Sequence, residues 1–300
     1  MINISVIIPS YNRVTSIERS IESVLSQDFR GKFEIIVSDD GSTDGTIELV
    51  ESKYKKEVIL LKKPIDCKDQ GAAGARNRGI AIAKGDCVCF LDSDDTYENS
   101  FFSRCYETLS NDTSLGYVYC RVNKSIKLPN DRVLLQPWTR PKLSYIDRKY
   151  HVLHRAFCIC TIGIMCRRSV LLQVGAFDTK LVVGEDSDMW IKISEISKGR
   201  FLDFIGATYY IDGFDNNQLT KSTTSSRKRR CGLQVYQKAL YRFDKREDKD
   251  RIRLLIIHIG IMLLEDSSIK NDKLRLLIVM GWQLAVRPIS MIRYMILRWL

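Results

Sequence analysis

Short apolar runs alternate with amphipathic stretches along the first two-thirds of the chain. Ile4–Ile8 is β-branched, is closed by Pro9 and predicts a strand. Thr15–Glu18 has the spacing of a capping box, and Ile17, Ile21, Val24 and Leu25 follow at helical intervals. Phe33–Val37 predicts a second strand, Ile47–Lys53 a helix and Val58–Leu61 a third strand. Gly71–Lys84 is an alanine-rich helix closed by Gly85, and Cys87–Leu91 is a fourth strand. This alternation predicts an α/β fold with a mainly parallel, doubly wound sheet and flanking helices. Ligands of such sheets bind beyond the carboxyl ends of the strands. Three polar clusters each follow a strand: Pro9–Asn12, Asp39 with Asp40, and Asp92 with Asp94 and Asp95. They are expected to meet in one crevice.

Further strands are expected at 116–122, 161–166 and Phe201–Ile211. Residues 123–146 hold Pro129, Pro137 and Pro141 and read as a long loop. A helix is expected over Asp186–Ser197, ended by Gly199. Thr220–Ser226 is a polar stretch that runs into four consecutive basic residues, Arg227–Arg230, and a domain boundary is placed there. The division is 1–220, in two halves at 1–115 and 116–220, then a basic helical region at 221–300. Leu254–Ile257 and Leu274–Met280 form apolar faces in that last part. No internal repeat or low-complexity segment stands out.

Composition sharpens the boundary. The net charge of +11 lies wholly in residues 221–300, which hold 18 Lys/Arg and 7 Asp/Glu; residues 1–220 hold 29 of each. The final stretch, Ile289–Leu300, interleaves Met, Ile and Leu with Arg293, Arg298 and Trp299. A basic helix of this kind can lie in an anionic membrane interface. Packing on residues 1–220 or homodimer formation through the apolar faces are the alternatives. The N-terminus lacks a basic region before an apolar core, so no signal peptide is expected. Nine scattered cysteines suit buried thiols in a reducing cytosol better than a disulfide framework. The C-x-C pairs at 87/89 and 158/160 leave a zinc site as a lesser alternative. Nucleic-acid binding is not expected: the basic cluster is isolated and the first 220 residues are neutral.

The acidic run at 92–95 carries the chemistry. Carboxylates this close repel one another, and Asp92 and Asp94 offer hard oxygens suited to Mg²⁺ or Mn²⁺. Such an ion is usually held by one or two carboxylates plus substrate phosphates. A helix-capping role for Asp92 or Asp95 is the plain alternative.

Several motifs then act together: SVIIPSYNR at 5–13, EIIVSDDGSTDGT at 34–46, GARNRGIAIAKGD at 74–86, FLDSDD at 90–95, GAFD at 175–178 and GEDSDMWIKI at 184–193. In this order they resemble the inverting nucleotide-sugar glycosyltransferases of family 2, over roughly residues 3–220. The resemblance implies a GT-A fold, in which a Rossmann-like nucleotide-binding half, here 1–115, is continuous with an acceptor half, here 116–220. It implies that Pro9 and Tyr11 line the base and ribose, and that Asp40 accepts the uracil ring N–H. Asp39 is then structural or ribose-facing, or the two exchange roles. It places Arg76 near the nucleotide, Asp92 near ribose and metal, and Asp94 on the metal itself. It makes Asp186 the base that takes the acceptor hydroxyl proton, with Glu185 and Asp188 orienting it or touching the acceptor. Trp190 is a sugar platform or a core residue.

One departure is visible. Many relatives carry a histidine after the last strand, yet residues 209–222 contain none; Asp212, Asp215 or Asn217 would have to serve. The resulting expectation is a Mn²⁺- or Mg²⁺-dependent enzyme, peripheral at the cytoplasmic face of the membrane. It would move a sugar from a nucleotide-sugar, UDP-linked by expectation, to a glycan or lipid-linked acceptor in cell-surface polysaccharide synthesis. A catalytically weak nucleotide-sugar-binding homologue is the alternative. So is a sugar-phosphate nucleotidyltransferase, although Pro9–Arg13 lacks the Gly-rich phosphate loop of that class.

Overall fold

Seven consecutive buried residues, Ile4–Ser10, form β1, and the strand beside it, Phe33–Asp39, is buried at all but its first residue. A computed structural model describes residues 2–127, 132–137, 159–181, 183–212 and 225–242, with 249, 252, 253 and 256. Strands β1, β2 (Phe33–Asp39), β3 (Val58–Lys62) and β4 (Cys87–Phe90) are parallel, in the order β3-β2-β1-β4. Helices α1 (Ile17–Leu25), α2 (Thr46–Lys53) and α3 (Gly71–Ile82) make the crossovers. Parallel strands covered on both faces read as continuous apolar runs, as the centres of β1 and β2 do, whereas β3 at the edge is partly open. On α1 the buried residues include Ile17, Ile21 and Val24, the stripe its periodicity predicted.

The expected capping box does not form. The N-cap is Ser16 without a side-chain bond, and the Ser16 and Ile17 N–H groups instead donate to the Arg13 carbonyl. The turn from β1 already supplies the acceptor.

The sheet continues from β4 in mixed orientation. It comprises β5 (Thr96–Tyr97), β6 (Leu115–Lys127), β7 (Val133–Pro137), β8 (Ile164–Arg167) and β9 (Lys198–Asp212), with α4 (Phe101–Asn111), α5 (Arg168–Val174) and α6 (Glu185–Ile196). The order runs β4-β8-β6-β9-β5, with β7 paired to β6. β8 is antiparallel to β4 and β6, whereas β6 and β9 form a long parallel pair. Nine described strands therefore make one mixed sheet in which parallel pairing predominates.

Three expectations change. The loop expected at 123–146 begins as strand: β6 runs on to Lys127 and pairs with β7. The strand expected at 161–166 starts only at Ile164, after a 3₁₀ turn at Thr161–Gly163. Gly199 ends no helix: α6 stops at Ile196, and Gly199 lies in β9, where a Cβ would overlap the Tyr117 ring.

Two units are distinguished. Residues 1–180 and 189–215 form one, residues 181–188 and 216–300 the other. In the second unit the main described element is α7 (Ser225–Arg242). Among the described residues no helix is long and apolar enough to cross a membrane. The terminal stretch 288–300 and the face at 274–280 lie outside the described residues, as does most of 254–257. Cys87, Cys89, Cys105, Cys120 and Cys166 are buried, and burial pushes their thiols up in pKa.

Candidate active site

Between the parallel strands β1 and β4 the order of strand addition reverses, with β2 and β3 on one side of β1 and β4 on the other, a topological switch point where α/β sheets bind ligands. The loops after β1, β2 and β4 meet there. Backbone of the first is held by the second: Asn12 N donates to Ser42 Oγ (2.8 Å), Arg13 N to Thr46 Oγ1 (2.8 Å) and Val14 N to Asp44 Oδ2 (3.0 Å). Asn12 is left-handed at φ 51° and accepts the Thr43 N–H on Oδ1 at 2.9 Å. Asparagine tolerates this conformation because its side chain bonds locally. Pro9 is buried in β1, and Tyr11, next to the turn, is 57% exposed with an open ring.

The two aspartates after β2 have different tasks. Asp39 is fully buried and folds back on its own loop, accepting the N–H groups of Gly41 and Ser42 and the Ser42 hydroxyl. Asp40 reaches out to α3. Its Oδ2 accepts the Gly71 N–H at 2.7 Å, and its Oδ1 lies 2.9 Å from Arg78 Nη2 and 3.7 Å from Lys63 Nζ. Gly71 adopts φ +73°, which a residue with a Cβ rarely takes, and this turns its N–H toward Asp40.

The acidic loop after β4 is clamped from both sides. Arg76 of α3 is buried and holds Asp92 Oδ1 at 2.7 Å. From α1, Arg19 donates to the Asp94 carbonyl and Ser20 Oγ to the Asp95 carbonyl (2.8 Å). Arg13 Nε stands 3.9 Å from Asp94 Oδ2. Burial and the neighbouring Asp92 charge push the Asp94 carboxyl above its usual range, against the pull of Arg13 and Arg19. Asp95 is wholly buried and pushed well above that range, by burial first and then by Asp94 and Asp92. Its Oδ1 accepts the Tyr210 N–H of β9 at 2.9 Å. Neither Asp92 nor Asp95 caps α4, whose N-cap is Ser100.

Among the described residues, no group of three or more His, Cys, Asp or Glu side chains converges on a metal position. Asp92 and Asp94 therefore offer two hard carboxylates and no complete cage. That donor set fits a Mg²⁺- or Mn²⁺-type ion that takes its remaining ligands from a diphosphate and water.

The GEDSD segment heads α6. Asp186 Oδ1 accepts the Ser187 N–H at 2.6 Å and the side chain stays partly open. Glu185 is nearly buried, and Asp188 is 0% exposed, with Arg242 of α7 at 3.4 Å. Trp190 is 0% exposed and packs against Phe90 and Phe177, with ring centroids 6.0 and 5.9 Å away. Its ring is a core residue and offers no face to a sugar, which removes it from the expected acceptor group. Asp212 ends β9, while Asp215, Asn217 and all three histidines lie outside the described residues.

Sequence reading overlooked Arg13, Arg19 and Arg78. The Arg-Asn-Arg spacing at 76–78 was the available signal: positions two apart on a helix face different ways, and here they serve two acidic loops.

The sequence model of the family described as Glycosyl transferase family 2 matches residues 5–175. The chain is 32% identical over 239 residues to an uncharacterized glycosyltransferase of Nostoc sp., covering 77% of this chain and 72% of the other. Over 92 residues it is 47% identical to a UDP-Glc:alpha-D-GlcNAc-diphosphoundecaprenol beta-1,3-glucosyltransferase of Escherichia coli, 31% of this chain and 35% of that one. It is 28% identical to the hyaluronan synthase of Pasteurella multocida over 90% of its own residues, but spans only 27% of that synthase. The crystal structure of S. aureus TarS 1-349 in complex with UDP-GlcNAc superposes with a TM-score of 0.66 at 20% identity, covering 91% of this chain and 76% of TarS.

Proposed function

The chain belongs to glycosyl transferase family 2 and has that family's GT-A fold, and on this footing we propose that it moves a sugar, with inversion, from a UDP-sugar to a hydroxyl of a glycan or lipid-linked acceptor. The observation that carries the reading is the placement of Asp40 behind β2 and of Asp92 and Asp94 behind β4, on either side of the switch point, each carboxylate faced by an arginine. The naming of UDP-glucose and a diphosphoundecaprenol acceptor for the Escherichia coli relative supports the donor and acceptor classes.

In this reading Tyr11 and Pro9 line the base and ribose, and Asp40 accepts the ring N–H. Arg76 holds Asp92 at the ribose side of the diphosphate. Asp92 and Asp94 would hold Mn²⁺ or Mg²⁺, which when bound neutralises charge on the diphosphate. Asp186 takes the proton of the acceptor hydroxyl. The hydroxyl oxygen forms its bond to C1 from the face opposite the diphosphate; the C1–oxygen bond breaks, and the nucleoside diphosphate leaves with that electron pair. Glu185 and Asp188 orient the base segment. The basic C-terminal stretch holds the enzyme at the anionic cytoplasmic face of the membrane, near a lipid-linked acceptor.

The test is thermal stabilisation and turnover with a panel of UDP-, GDP- and dTDP-sugars, each with Mn²⁺ and with EDTA. Stabilisation by a UDP-sugar that EDTA abolishes is the expected result. With that sugar, Asp186→Asn should retain binding and lose about 10²–10⁴-fold in turnover; near-normal turnover would remove Asp186 from the base role. No response to any nucleotide-sugar would overturn the donor reading. Deleting residues 288–300 should release the protein from anionic vesicles, and unchanged co-sedimentation would refute the anchor.

A further inference from the structure

Arg78 makes more contacts than a helix-surface arginine needs. Its Nη2 donates to Asp40 Oδ1 at 2.9 Å and to the Asp39 carbonyl at 3.3 Å. Its Nη1 donates to the Asp69 carbonyl at 3.1 Å and approaches Cys67 Sγ at 3.8 Å. One guanidinium thus ties the loop after β2 to the segment that enters α3. Both members of the Arg78–Asp40 pair are mostly buried, with side chains 12% and 11% exposed.

The consequence falls on Asp40. A carboxylate offers about four acceptor directions. Oδ1 faces two cations, Arg78 and Lys63, and Oδ2 already accepts the Gly71 N–H. One direction on Oδ2 is left for a ligand. Uracil and thymine present a single ring N–H between two carbonyls and need one acceptor. Guanine presents a ring N–H and an amino group side by side and needs both carboxylate oxygens. One of its donors would then point at the Oδ1 side, where the two cations stand.

We infer that Arg78 is a specificity-determining residue: by occupying Oδ1 it makes Asp40 a one-donor acceptor, so that the site selects uracil-type over guanine-type nucleoside diphosphates. The inference rests on the proposed role of Asp40 in base recognition.

The experiment titrates the full chain with UDP and with GDP in Mn²⁺ and reads the ratio of the two dissociation constants. The wild type should favour UDP by about tenfold or more, since a buried donor left unpaired forfeits at least that much affinity. Arg78→Gln should narrow the preference to about threefold or less, because Oδ1 loses its direct guanidinium bond and, with Lys63 no nearer than 3.7 Å, can receive the second guanine donor. Arg78→Lys, which keeps one cationic donor but cannot bridge both loops, should lie between, and it carries the test if the glutamine variant does not fold. A ratio unchanged in whichever variant folds, including a parallel loss for both nucleotides, would reduce Arg78 to a structural tie and overturn the inference. A wild type that binds neither nucleotide would overturn the donor reading on which it stands.

Discussion

Arg76 and Asp92 form an ion pair at 2.7 Å that joins α3 to the acidic loop, with the arginine side chain 5% exposed and the aspartate 33% exposed. The pair fixes the first carboxylate of the run against a buried cation, so the loop is ordered before any ligand arrives. Arg76→Met should destabilise the protein by about 1–3 kcal/mol, less than a fully buried pair because Asp92 keeps contact with water. Denaturant unfolding measures this. A loss below about 0.5 kcal/mol would mean that the pair is a surface contact in energetic terms.

Asp94 gives a pH dependence with a definite sign. Burial and the Asp92 charge raise its carboxyl pKa above 3.8, so it becomes neutral at a higher pH than an ordinary aspartate. Metal-supported UDP binding should therefore fail on acidification above the range of a free aspartate. Arg13→Met removes a lowering influence and should move that acid limb to higher pH still. Titration of UDP binding against pH in Mn²⁺ decides, and an unmoved limb in the variant would exclude Arg13 as the partner of Asp94.

Asp95 affects stability rather than ligand binding. Its folded pKa is raised by burial and by its two acidic neighbours. Between the unfolded value near 3.8 and the raised folded value, the native state holds more protons than the unfolded chain, so stability falls as pH rises through that window. Asp95→Asn keeps an acceptor for the Tyr210 N–H and cannot ionise. Its melting temperature should exceed the wild type's at neutral pH, by about 2–4 °C per kcal/mol recovered, with the gap closing in acid. A variant less stable at neutral pH would show that the ionised form is the one the fold uses.

In the second unit, the wholly buried Asp188 pairs with Arg242 of α7. Arg242→Met should cost about 2–4 kcal/mol by leaving that carboxylate short of its cation. Adding Asp188→Asn should recover much of the loss. Strictly additive thermal shifts in the double variant would mean that the two residues are not coupled.

Strand and helix alternation, the three acidic or polar loops behind β1, β2 and β4, and the placement of Asp40, Asp92 and Asp94 after strands and of Asp186 at a helix start were legible in the residues alone. Buried parallel strands and amphipathic helices write their periodicity locally, and polar clusters follow strand ends because the sheet topology puts them there. What a carboxylate faces is not local. The split between Asp39, folded into its own turn, and Asp40, held by Arg78 and Gly71, depends on α3 arriving from about thirty residues downstream. The burial of Trp190 between Phe90 and Phe177 depends on β4, about a hundred residues upstream, as well as on the nearby segment that carries Phe177. The continuation of β6 to Lys127, into a stretch that reads as loop, depends on β9 lying beside it and β7 folding back on it. The chain's own periodicities determined the elements and the order of the motifs. Only tertiary packing decided which partner each charge and ring would meet, because those energies arise between segments whose separation in sequence carries no signal of their distance in space.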